Sequence, residues 1–238
     1  MKNAADIKIL ALDSSSTTGS VALCCGERLV AESILNVKST HSEKLLVQID
    51  LLLHEAGWSI ADLDLLAVVT GPGAFTGLRI GIATIKGLAQ VLDTPVVAVS
   101  SLQAIAMNLP LVTAPICAFL DARKSEVYSQ LFRWDCIQGA VAVSEATVLP
   151  PQQLLTELSG NVALVGNGVN LYRQLITEVL ADNALLPVAT AHQLRATAVA
   201  WLALQSWKQR ILTNAAEIVP NYIRPSDAEL NYKKQSKG

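Results

Sequence analysis

Aliphatic and β-branched residues fill positions 7–12, 20–25 and 28–34, separated by the hydroxyl-rich Ser14 to Gly19 and by Gly26-Glu27. Short apolar runs punctuated this way predict three strands in an antiparallel meander. Thr40-His41-Ser42-Glu43 then has the spacing of a capping box, and the apolar positions change to a helical period that lasts until Gly57. A helix of about four turns is expected there. Residues 65–70 read as a continuous buried strand, 71–77 as a glycine-rich loop, 78–92 as a second helix and 95–99 as another buried strand. Three strands followed by helix, strand, helix, strand describe a mixed sheet whose last two strands run parallel through a crossover.

The pattern partly repeats downstream, with strands expected at 116–121, 127–134 and 137–143 and helices at 152–158, 171–180 and 193–208. Two lobes of similar topology with a cleft between them fit this order. The division would be 1–100, 101–224 and a polar tail 225–238. Residues 94–120 carry no charge, but Pro95, Pro110 and Pro115 break them into strand, helix and strand and argue against a membrane span. At the N-terminus Asp13 interrupts the first apolar run before it reaches the length of a signal-peptide core, so a cytoplasmic protein is expected.

Both helices of the first lobe have more apolar surface than one sheet can cover. In the first, Leu45, Leu46, Ile49, Leu52 and Leu53 form the stripe expected to face the sheet, while Val47 and Leu51 lie opposite, beside His54. In the second, Ile80, Ala83, Gly87 and Val91 turn away from Leu78, Ile82, Ile85 and Ala89. Either the second lobe covers these positions, or they form a helix-on-helix interface with another protein, which the small Ala83 and Gly87 would allow to approach closely.

Composition narrows the chemistry. Of the 238 residues 51% are hydrophobic and 16% charged, and 18 basic against 20 acidic residues leave a net charge of −2. Disorder is excluded, and a free-standing nucleic-acid binder, which needs clustered Lys and Arg, is not expected. Weak nucleic-acid binding by the chain alone follows, with a small contribution from Lys233, Lys234 and Lys237. Cys24, Cys25, Cys117 and Cys136 show no C-x-x-C spacing and read as buried free thiols. His41, His54 and His192 contain no His-x-x-x-His pair, and no Gly-x-Ser-x-Gly elbow exists, so no metal ligand and no catalytic residue is assigned.

Two loops have phosphate-like chemistry. Asp13-Ser14-Ser15 ends the first strand with a carboxylate and hydroxyls, a set that suits phosphate or Mg²⁺ but is also common in purely local turns. Gly71-Pro-Gly73-Ala-Phe-Thr76-Gly77 joins a strand to a helix and could receive an anion on its amides, yet matches neither a Walker A nor a dinucleotide fingerprint. A tight structural turn explains it at least as well.

Taken together, Leu10-Ala-Leu-Asp13-Ser-Ser, His41-Ser-Glu43, Gly71-Pro-Gly-Ala-Phe-Thr-Gly-Leu-Arg-Ile-Gly81, Asp121-Ala-Arg123 with Glu126-Val-Tyr128, and Pro220-Asn-Tyr-Ile-Arg224 resemble the TsaB (YeaZ) family. The eleven residues from Gly71 to Gly81 are the most specific of these. The resemblance implies an α/β fold of the ASKHA type, the two-lobed architecture of actin, hexokinase and Hsp70, with a degenerate second lobe. It implies a role in forming threonylcarbamoyladenosine beside the anticodon of tRNAs that read codons beginning with A. In that pathway a TsaC-type enzyme makes threonylcarbamoyl-AMP, TsaD transfers the group to adenine, and the ATPase TsaE resets the complex. TsaD-like relatives carry a metal-binding His-x-x-x-His where this chain has Ser101-Leu-Gln-Ala-Ile105, so the resemblance implies a scaffold without catalysis of its own. Asp121-Ala-Arg-Lys-Ser replaces the second glycine-rich phosphate loop of ATP-hydrolysing relatives, and Val165-Gly-Asn-Gly168 stands where an adenosine-side loop would be. The phosphate loops at Asp13, Ser14, Ser15, Gly71, Gly73, Thr76 and Gly77 would then be vestigial, with no cofactor required by this chain and room for ATP or ADP in the complex. The resemblance also places a partner surface on the first two helices, at Val47, Leu51, His54, Ile80, Ala83, Gly87 and Val91. TsaD would dock there, and a second copy of the chain in its absence. Two enzymatic readings compete: an ATP-dependent phosphotransferase using Asp13 and the Gly71 loop, and a glycoprotease-like peptidase acting on a partner.

Overall fold

The protein is described by a computed structural model covering residues 2–36 and 41–224, with side chains from residue 45 onward in the first helix. Strands β1 (Lys8–Asp13), β2 (Thr18–Cys25) and β3 (Arg28–Asn36) form the expected antiparallel meander. Helix α1 (His41–Ala56) follows. Its expected capping Thr40 and the Glu43 side chain lie outside the described residues. The helix stops at Gly57, whose φ of +65° suits a residue without a side chain. Strand β4 (Leu65–Gly71), helix α2 (Phe75–Leu92) and strand β5 (Val96–Ser100) complete a five-stranded sheet of order β3-β2-β1-β4-β5, in which β1, β4 and β5 are parallel. Helix α2 starts at Phe75 and not at Leu78, so Thr76 and Gly77 belong to its first turn. Leu78 N donates to Ala74 O, and this bond extends the helix back into the glycine-rich stretch.

After α3 (Ser101–Ala106) come β6 (Ile116–Arg123), β7 (Glu126–Asp135), β8 (Gly139–Ala142), β9 (Thr147–Leu149), α4 (Pro151–Glu157), β10 (Val162–Val165), α5 (Asn167–Leu171), α6 (Arg173–Leu180), β11 (Ala184–Leu185) and α7 (Ala196–Lys208). The second sheet has the order β11-β10-β6-β7-β8, with β9 also paired to β7. The helix expected at 171–180 is two helices, separated at Tyr172 by a non-helical φ/ψ of −111°/22°.

Alternation along each strand sorts the core into layers. Leu10, Leu12, Val21, Leu23, Leu66 and Val68 face α1 and α2, whereas Ile9, Ala11, Ala22, Leu65, Ala67 and Val69 face α3 and α7. That second layer continues into Ile116, Ala118, Phe132, Ala163 and Val165 of the other sheet, so a single core joins the two sheets. The opposite face of the second sheet packs Phe119, Val127, Leu164 and Val169 against α4, α5 and α6. Helix α7 comes late in the chain yet lies on β1, β2, β4 and β5 of the first sheet. Its start is fixed from that sheet: Ala196 N donates to Ser20 Oγ at 2.9 Å, Thr197 N donates to Glu32 Oε1 at 3.1 Å, and Arg195 pairs with the same carboxylate. The helix therefore begins at Ala196, three residues after its expected start, because its caps are remote in sequence. Among the described residues no helix is long and apolar enough to cross a membrane. Cys24 and Cys117 are buried free thiols as expected, but Cys25 is half-buried and Cys136 is exposed in the turn between β7 and β8.

Candidate functional site

Asp13 ends β1, and its carboxyl group is wholly buried. Oδ1 accepts from Ser15 N at 2.8 Å, while Oδ2 has no hydrogen-bond partner. Burial pushes this carboxyl up to about 6, against the lowering effect of its bonds from Ser15. The folded protein thus holds the proton more tightly than the unfolded chain, so the group stabilises the fold below pH about 4 and loses that contribution as the pH rises through about 6. Asp13→Asn, uncharged throughout, is expected to gain on the wild type between pH 4.5 and 7.5, by about 2 kcal/mol. Urea unfolding of both proteins at those two pH values measures this, and parallel shifts would contradict it.

The Ser14–Ser15 turn sits directly against the glycine-rich loop. Ser14 Oγ donates to Gly77 O at 2.8 Å and Ala74 N donates to Ser15 O at 2.6 Å. A methyl group added at Gly77 would come within 1.9 Å of Ser14 O, at Gly73 within 2.4 Å of Ser15 O, and at Gly81 within 2.4 Å of Ser14 Oγ. The room left by these glycines is taken up by the Ser14–Ser15 segment. Thr76, in the first turn of α2, is exposed. Gly71 has φ +127° and lies beneath Asn221, whose N–H donates to Thr70 O at 2.7 Å.

The segment from Asn221 to Arg224 links this loop to the remaining motifs. Tyr222 stacks on Phe75 with ring centroids 4.6 Å apart, Arg79 donates to Tyr222 OH, and the Arg79 guanidinium lies 3.9 Å from the Phe75 ring centroid. Arg224 donates to Glu126 Oε2 at 2.6 Å and to Ala122 O at 2.8 Å. Asp121 N donates to Asn167 Oδ1, and the Gly166 and Gly168 positions are crowded by Phe119. His192, buried beside this turn, accepts from Gly166 N through Nδ1, and burial lowers its pKa. Segments around Ser14 and Tyr222, more than 200 residues apart, thus both lie against the Gly71 loop, which no local signal indicated.

Ser101 and Ile105, where the resemblance puts a His-x-x-x-His pair, carry no such ligands. Ser101 is buried and donates to Pro72 O, and Ile105 is fully buried in the core shared by the two sheets. Among the described residues no group of three or more His, Cys, Asp or Glu is placed to hold a metal.

A second candidate site lies on α1 and α2, which pack on each other. Val47 is 67% exposed, Leu51 55% and Val91 84%, and His54, Ala83 and Gly87 are exposed as well. Ile80 differs from expectation: it is half-buried against the core beneath the helices. Leu46, expected to face the sheet, is 55% exposed and adds to the apolar face, because the inward stripe runs through Leu45, Gln48, Ile49, Leu52 and Leu53. Among the described residues the second lobe leaves this face open. The polar edge of α2 is covered, where Lys86 donates to Ala216 O and Ile218 O.

Comparison with known proteins gives concordant matches. The family model described as TsaD, tRNA N6-adenosine threonylcarbamoyltransferase, matches residues 28–232. The tRNA threonylcarbamoyladenosine biosynthesis protein TsaB of Bacillus subtilis is 30% identical over 96% of this chain and 99% of its own length, and that of Haemophilus influenzae 32% identical over 96% and 97%. The solved structure of YeaZ from Pseudomonas aeruginosa superposes with a TM-score of 0.79 at 29% identity, covering 91% of this chain and 99% of that one. These matches extend over most of the chain, which belongs to the TsaB (YeaZ) family of tRNA threonylcarbamoyladenosine biosynthesis proteins and shares the α/β fold of the YeaZ structure.

Proposed function

We propose that this chain is the scaffold subunit for threonylcarbamoyladenosine formation next to the anticodon of tRNAs that read A-starting codons. It holds the TsaD transferase on the α1–α2 face, TsaE joins that pair, and a TsaC-type enzyme supplies the threonylcarbamoyl donor. The observation that carries this reading is the apolar face itself: Leu46, Val47, Leu51 and Val91 lie exposed around the small Ala83 and Gly87. Burying one such aliphatic side chain contributes about 1.5–3 kcal/mol. Several large aliphatics on two packed helices therefore favour a stable partner over exposure to water. A second copy of the chain occupies the face when TsaD is absent.

Transferase chemistry is left to the partner. Ile105, in the position of a metal ligand, is embedded in the core and offers no donor atom. The phosphate-like loops are vestigial in this reading, since Gly73 and Gly77 admit the Ser14–Ser15 backbone and leave no cradle between the loops. ATP or ADP is needed by the complex and not by this chain, and tRNA is bound through the complex in the cytoplasm. The basic Lys233, Lys234 and Lys237 lie outside the described residues. Depletion of this protein followed by nucleoside analysis of bulk tRNA tests the role. Threonylcarbamoyladenosine should fall to a small fraction of its normal level, and an unchanged level would refute the proposal.

A further inference from the structure

The segment from Ile211 to Arg224 has a single 3-10 turn, Ala215–Glu217, yet it is bonded along its whole length. Thr213 N donates to Val96 O on the edge of β5 at 2.8 Å. Lys86 of α2 donates to Ala216 O and Ile218 O, and the Ile218 side chain is buried in the core beneath α1 and α2. Farther on, Asn221 is bonded to Thr70, Tyr222 is stacked on Phe75 and bonded to Arg79, and Arg224 crosses to the second sheet. There its two bonds, to Ala122 O and Glu126, bracket the β6–β7 turn. In that turn Arg123, Lys124 and Ser125 all have positive φ, of 60°, 52° and 59°. Three successive side-chain-bearing residues in the left-handed region are disfavoured without external support. Arg224 supplies support on both flanks.

We infer that residues 211–224 act as a strap that couples helix α2 to the β6–β7 turn, with Arg224 as the positioning residue at its far end. The strap touches α2 at Phe75, Arg79 and Lys86, three successive points along the edge of the docking face. Whatever holds α2 still therefore holds the strap, and the strap holds the turn. Coupling within the free chain stands on these bonds alone. Its extension, that a partner seated on α2 rigidifies the turn across the cleft, rests on the docking proposal.

Coupling between two sites is reciprocal, which gives a test that needs no partner. Hydrogen exchange is followed by mass spectrometry on the full chain as wild type, Arg224→Ala, Arg224→Lys and Lys86→Met. Arg224→Ala should speed exchange about tenfold at Thr213 and Asn221 as well as in the turn, and Lys86→Met should speed exchange in the turn, far from the substitution. Arg224→Lys, which keeps the Glu126 pair but loses the fork to Ala122 O, should fall between wild type and alanine. Acceleration confined to the neighbourhood of each substitution would overturn the strap. Adding TsaD separates the two readings. Protection of the turn in wild type but not in Arg224→Ala supports the extension, and equal protection in both contradicts it. Absence of any TsaD binding would overturn the docking proposal alone, and the exchange rates of the free chain would still decide for or against the strap.

Discussion

Val47→Asp combined with Leu51→Asp is expected to eliminate the complex with TsaD while leaving the chain folded. Both side chains are mostly exposed on α1, so the substitution removes little internal contact, and surface changes of this kind usually alter stability by about 0.5 kcal/mol or less. At an interface the same change removes two apolar anchors and buries two carboxylates without partners. A loss of at least about 4 kcal/mol of association, roughly a thousandfold in affinity, follows. Titration calorimetry with TsaD measures the loss, and circular dichroism melting of the free variant establishes that folding is intact. A heterodimer of unaltered affinity would remove α1 from the docking face. The same variant should also lower the fraction of homodimer in sedimentation, because the proposal puts both assemblies on this face.

The largest effect on stability is expected at Gly77. An alanine there would place its methyl 1.9 Å from Ser14 O, a backbone atom that cannot rotate away, so β1 or α2 must shift. The cost should be about 3 kcal/mol, at the upper end for overpacked positions, and for a domain of this size each kcal/mol lowers Tm by about 2–4 °C. Gly87 is the control. A methyl at that exposed site in the middle of α2 meets nothing within 4 Å, so Gly87→Ala should stabilise the free chain by about 0.5–1 kcal/mol. If α2 meets a partner helix closely, Gly87→Ala should also weaken the heterodimer. Thermal melts of the two variants with opposite signs would separate a glycine used for internal packing from one left free for a partner.

These contrasts show where sequence reasoning succeeded and where it stopped. The meander, both helices of the first lobe and the parallel crossover were legible because their apolar periods are local and uninterrupted. The short strands β9, β10 and β11 were not, since two to four residues carry too little periodicity to stand out. The start of α7 was hidden because its caps, Ser20 and Glu32, come from the meander at the other end of the chain. Leu46 faces outward, against expectation, because a residue at the margin of the inward stripe can face either way, and the burial of Gln48 shows that the stripe is turned toward that side. The motifs themselves are visible individually in the sequence. Their convergence on the Gly71 loop depends on contacts such as Asn221 with Thr70, which arise only when the fold is complete.

A chain that serves modification by holding the transferase, with no chemistry of its own, must be indispensable beside TsaD and inert without it. Threonylcarbamoyl transfer to tRNA decides this in a reconstituted mixture of TsaC-type enzyme, TsaD, TsaE and ATP, supplemented with wild-type chain, the Val47→Asp/Leu51→Asp variant or neither. Transfer is expected with the wild type, and background levels in the other two. Full transfer with the variant, or modification of tRNA by this chain when TsaD is omitted, would contradict the scaffold role.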